Sequence, residues 1–76
     1  VKVRDLAVGD RAVVTGYDGA DIEYRGRLLA MGLTRGVALT LKRVAPLGDP
    51  VKVEVRGYGL SLRKAEADVI DVERIP

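Results

Sequence analysis

The chain has no cysteine and no histidine. Without cysteine there is no disulfide to staple a small fold and no thiolate to hold a metal. Without histidine the commonest metal ligand and the commonest acid–base catalyst are both missing. Phenylalanine and tryptophan are absent too, and the aromatic complement is three tyrosines, which is little for stacking nucleic-acid bases. No long apolar run occurs. The stretch Leu28-Leu29-Ala30-Met31 falls far short of a bilayer span, so direct membrane insertion is not expected. No segment combines a basic start, a long apolar middle and a small-residue cleavage site, which reads as a cytoplasmic protein. One-sided charge is lacking as well: 13 basic and 11 acidic residues leave a net +2, and no polyanion-binding tail stands out.

What is present is a globular composition, 47% hydrophobic and 32% charged, in 76 residues. That length predicts a single domain over residues 1–76, burying only ~60–65% of its unfolded surface. Glycine, proline and aspartate punctuate the chain wherever its hydrophobic period changes. Residues 5–10 read as a lead-in closed by a Gly9-Asp10 turn. The β-branched run over 11–17 predicts a first strand, with a bend or bulge at Gly16. Residues 22–31 change to helical spacing, with Asp21 as N-cap and Ile22, Leu28, Leu29 and Met31 as the apolar stripe. Arg25 and Arg27 fall on the exposed side. Gly26, costly in mid-helix, predicts a close approach by another backbone. Gly32 is the expected left-handed stop, with Leu33 folding back on the last turn.

Period-two alternation then predicts strands over 37–44, 51–56, 60–63 and 70–73, with Gly57-Tyr58-Gly59 as a tight hairpin loop. Residues 64–67 suit one helical turn. The sum is a mainly β protein: a small five-stranded SH3-like barrel, closed on itself, with one short helix inserted after the first strand and a helical turn before the last.

Catalytic motifs are weak. Ser61-Leu62-Arg63-Lys64 matches S-x-x-K in letters, but that chemistry needs a helix start beneath a pocket, and Ser61 reads as an outward strand position. Asp18, Asp21 and Glu23 could hold a hard cation, or cap a helix and favour its dipole; Glu66, Asp68 and Asp71 read as a solvated face. Arg25, Arg27, Arg35, Lys42 and Arg43 could share one side of the barrel, without the aromatic interleaving of nucleic-acid binders. With no nucleophile–base pair, the chain is expected to bind rather than to catalyse, with no cofactor and no metal site.

Leu28-Leu29-Ala30-Met31-Gly32-Leu33-Thr34-Arg35-Gly36 resembles the L-x-x-x-G-L-x-x-G segment of the FeoA family, and Ala45-Pro46-Leu47-Gly48-Asp49-Pro50 resembles its A-P-x-G-D-P connection. Leu6 with Gly9, Val53 with Val55 and Gly57, and residues 60–67 before a final I-x-V also fit, in order, over nearly the whole chain. The resemblance implies a small cytosolic SH3-like barrel that supports FeoB, a ferrous iron transporter of the membrane with a cytosolic GTP-binding domain. The alternative is an SH3-like barrel that binds nucleic acid or serves as a regulatory domain related to metal-dependent repressors. Residue by residue, the candidate partner-binding positions are Arg25, Arg27 and Met31 on the helix and Pro46, Leu47, Gly48 and Asp49 in the connection. Leu47 is either a docking tip stiffened by its flanking prolines or a residue tucked under the barrel. An exposed apolar tip on a small core also suits a homo-oligomer.

Overall fold

Val51, Val53 and Val55 are buried, and Lys52 and Glu54 between them are exposed, which is the signature of a strand with one face on a core. The computed structural model describes residues 1–18 and 22–76 and builds its sheet around that strand. In chain order there are a 3-10 turn Val3–Asp5, β1 Arg11–Tyr17, α1 Ile22–Ala30, β2 Ala38–Val44, β3 Val51–Val55, β4 Tyr58–Leu62, α2 Lys64–Ala67 and β5 Ile70–Ile75. The expected N-cap, Asp21, lies outside the described residues, as does the side chain of Ile22.

All five strands pair antiparallel in the order β4-β3-β2-β1-β5. This is the SH3-like order, and the fold is mainly β as expected. The expected closure is not made: β4 and β5 are the two ends of the sheet. Two bulges give the sheet its curl. Val14 pairs with Val72 and Gly16 with Asp71, so Thr15 is an extra residue in β1, beside the glycine expected to mark a bulge. Leu41 pairs with Val53 and Arg43 with Lys52, so Lys42 is an extra residue in β2. Each bulge bends its strand and sharpens the local twist.

The core lies inside the curl. Leu28, Leu33, Leu39, Leu41, Leu62 and Ile70 are its largest fully buried side chains, each worth roughly 2–3 kcal/mol in area removed from water. α1 contributes to it through Leu28 and through its exit. The Gly32 N–H donates to Leu29 O at 3.0 Å, and the Leu33 N–H donates to Leu28 O at 3.1 Å. With Gly32 at φ +94° these form a Schellman cap, and its usual apolar contact is the buried pair Leu28 and Leu33.

Three expectations fail locally. Leu29 is 41% exposed rather than part of the buried stripe, whereas its neighbour Leu28 is fully buried. Among the described residues, no atom beyond its chain neighbours and its own helix backbone lies within 4 Å of where a Gly26 Cβ would stand, so the expected close approach of another backbone is not seen. The hairpin turn is Arg56-Gly57, not residues 57–59: Val55 pairs directly with Tyr58, and both turn residues have positive φ, +52° and +85°. A two-residue turn of that hand matches the twist of its strands, which extends β4 back to Tyr58.

Candidate partner-binding surface

The connection between β2 and β3 is a fastened loop. The Gly48 N–H donates to Ala45 O at 2.7 Å, closing a turn with Pro46 and Leu47 at its corners. The Ala45 N–H donates to Pro50 O at 3.1 Å across the base. Asp49 Oδ1 accepts the Lys64 N–H at 3.1 Å, and Glu66 Oε1 accepts the Arg63 N–H at 2.8 Å. These two carboxylates satisfy orphan donors at the start of α2, so Asp49 ties the loop to that helix. Leu47, at the tip, is 95% exposed. The tucked alternative therefore falls away.

Beside the tip is a groove of about 170 Å³. Val3, Leu6, Leu41, Val44, Val51 and Ala67 form its apolar wall, and Arg4, Lys64 and Asp68 line its polar side. Arg4 Nη1 stands 3.6 Å from Asp68 Oδ1. Val44 was not among the expected site residues, because plain alternation from Leu39 and Leu41 would aim Arg43 inward. The bulge at Lys42 shifts the phase by one, pairing Val44 with the inward Val51. Val44 remains 42% exposed at the groove.

Of the other expected residues, Met31 lies at the Tyr58 end of the β3–β4 hairpin. Arg25 and Arg27 are exposed, and the Arg25 guanidinium sits 5.9 Å from the centre of the Tyr17 ring. Met31 is partly buried against the core, and its carbonyl accepts the Tyr58 hydroxyl at 3.0 Å. The Tyr17 hydroxyl donates to Leu33 O. Burial raises the Tyr17 phenol above its ordinary pKa, with Arg35 and Arg25 pulling the other way. Two of the three tyrosines thus clamp the α1 exit. Val51 borders the loop and Val55 the Tyr58 end, four residues apart on β3, roughly 13 Å at the usual rise. The candidate residues form two patches rather than one: Pro46–Asp49 with the groove, and Arg25, Arg27 and Met31 with α1.

The solvated face expected of Glu66, Asp68 and Asp71 is not one: Glu66 is buried, and Asp68 and Asp71 are half-buried. Lys2 Nζ reaches Asp18 at 2.9 Å and Asp71 at 2.7 Å, and these contacts raise the Lys2 pKa, Asp71 more than Asp18. Among the described residues no three Asp or Glu come together as metal ligands would, and no helix is long and apolar enough to cross a membrane. Ser61 is an exposed residue of β4, as expected.

Comparison with known proteins places this geometry in context. The FeoA domain matches residues 1–74. A Fe(2+) transport protein A/Fe(2+) transporter FeoB fusion protein of Porphyromonas gingivalis is 37% identical over 75 residues, 99% of this chain. The chain spans only 9% of that fusion's length. The solution structure of the FeoA protein of Chlorobium tepidum is 42% identical and superimposes with a TM-score of 0.89, over 100% of this chain and 71% of that one. The zinc-complexed FeoA of Stenotrophomonas maltophilia, described as an SH3-domain protein and a candidate ferrous iron transport activating factor, is 25% identical at a TM-score of 0.80, over 96% of this chain and 89% of its own.

Proposed function

The chain belongs to the FeoA domain family, linked to ferrous iron transport, and we propose that it is an accessory protein that docks on the cytosolic part of a FeoB-type transporter and supports its assembly or activity. The fusion in Porphyromonas gingivalis carries this reading: nearly the whole of this chain aligns with a segment joined covalently to a FeoB transporter. Covalent joining holds two modules at high effective concentration, which is useful when they act together. The surface offered is the loop tip with its groove. Leu47 is exposed, held by a closed turn, and stands beside an apolar wall. A tip already ordered loses little entropy on docking. Arg25 and Arg27 supply a second, polar patch.

The protein acts by contact, not by catalysis, at the cytosolic face of the membrane. The nucleic-acid alternative has only three tyrosines to offer as stacking surfaces, with no phenylalanine or tryptophan. Calorimetric titration against the purified cytosolic part of the transporter tests the proposal. Leu47→Asp is expected to weaken binding by at least about tenfold with melting unchanged, and Arg25→Glu by less. Normal binding by both variants refutes the surface; no binding by the unaltered chain refutes the partner.

A further inference from the structure

We propose that the free edge of β4 is a strand-addition site that takes up an extended, acidic segment of a partner protein. The two edges of the open sheet are unlike. On β5, the Val72 N–H donates to Val1 O at 2.8 Å, Lys2 bridges to Asp71, and Asp71, Glu73 and Arg74 place charge along the strand. Cover and charge are the usual means by which an edge is kept from foreign strands. β4 reads Tyr58-Gly59-Leu60-Ser61-Leu62, with no charge, no proline and a bulge-free register against β3.

The turn decides which β4 groups are free. In a two-residue hairpin the pairs Val55–Tyr58, Val53–Leu60 and Val51–Leu62 exchange hydrogen bonds, so the N–H and C=O of Gly59 and Ser61 point away from the sheet. Both residues are exposed, and among the described residues neither backbone bonds to a segment beyond the ladder. A strand laid there gains up to four main-chain hydrogen bonds, the basis of recognition by strand addition.

Charge selects the occupant. The Lys52 side chain lies across Gly59, its Cε 3.0 Å from where a Cβ would stand. Arg56 occupies the turn, and Arg63 and Lys64 follow the far end of the strand. Among the described residues none of these four cations is in an ion pair, whereas Glu54 on the same hairpin faces Lys42 at 3.8 Å. A second copy of β4, laid antiparallel with Leu60 opposite itself, would bring the turn that carries Arg56 of each chain toward the strand end followed by Arg63 and Lys64 of the other. Like charges oppose that pairing, whereas an acidic strand meets the four cations, the nearby carboxylates being engaged: Glu54 faces Lys42, and Asp49 and Glu66 accept the Lys64 and Arg63 N–H groups. The site uses none of Leu47, Arg25 and Arg27, so it stands or falls apart from the transporter reading.

The test uses the full chain, isotope-labelled, and three end-blocked peptides: alternating Asp and Val, alternating Lys and Val, and the acidic peptide with a central proline. The acidic peptide is expected to shift the Gly59 and Ser61 amide signals, slow their hydrogen exchange, and bind at least about tenfold more tightly than the basic one. The proline peptide should lose binding, and Lys52→Glu with Arg63→Glu should abolish the preference for acid. If the double variant unfolds, Lys52→Glu alone reads the preference. Absence of acidic-peptide binding at ~1 mM, equal binding of all three, or shifts confined to other residues overturns the proposal. Protection of Gly59 and Ser61 that grows with protein concentration alone gives the edge to a second copy, and overturns it too.

Discussion

Leu33 and Leu47 are both leucines beside a glycine of positive φ in a tight turn, yet Leu33 is fully buried and Leu47 is 95% exposed. Around Leu33 everything converges on the fold: a Schellman cap, the Leu28 contact, and two tyrosine hydroxyls on the carbonyls of Met31 and Leu33. Around Leu47 the backbone is equally well fastened, but the side chain gains nothing from it. An apolar group held out by an ordered loop buries no area and so adds little to stability. The pair shows that order of the backbone and burial of the side chain are separate properties.

The strongest way to break this comparison is to truncate both leucines. Leu33→Ala should cost about 3 kcal/mol by cavity formation, while Leu47→Ala should stay within about 0.5 kcal/mol. Thermal melting reads the difference, since each kcal/mol moves the midpoint by roughly 4–8 °C in a domain this size. Equal losses would end the distinction. Next comes Gly32→Ala, where a new Cβ would collide with the Tyr58 hydroxyl in a backbone region that side chains disfavour. A loss of about 2 kcal/mol is expected in urea titration, partly recovered by adding Tyr58→Phe, which removes the obstructing oxygen. Tyr58→Phe alone should cost about 1 kcal/mol, the worth of one hydrogen bond to Met31 O.

The smallest effect is expected at Lys2, which belongs to neither leucine's surroundings. Its folded pKa is raised by Asp71 and then Asp18. A cation so held adds stability that is fully present below the ordinary lysine value and is lost as pH rises through the folded one. The melting gap between the unaltered chain and Lys2→Gln should therefore be constant near neutral pH and close at strongly alkaline pH. A gap that persists there would assign the effect to packing of the lysine stem.

Much of the fold was legible in the letters. The alternation over residues 51–55, the glycine stop at Gly32 with Leu33 folding back, and the order of strands and helices all depend on neighbours within a few positions. So did the FeoA-like spacing. The candidate surface was only half legible. Pro46, Leu47 and Gly48 announced a stiff turn, but nothing local said that Leu47 points outward or that Asp49 reaches Lys64. Val44 was missed because the bulge that brings it to the groove depends on pairing with β3.

The sequence by itself determined the periods, the glycine stop at Gly32 and the absence of histidine and cysteine chemistry, since these are properties of residue type and short-range spacing. Tertiary structure alone decided which strand ends stay unpaired, which carbonyls the tyrosines reach, and which leucine faces water. Those outcomes rest on contacts between residues far apart in the chain, such as Tyr17 with Leu33 and Tyr58 with Met31, and no local pattern encodes where a bulge will shift the phase of a strand against its neighbour.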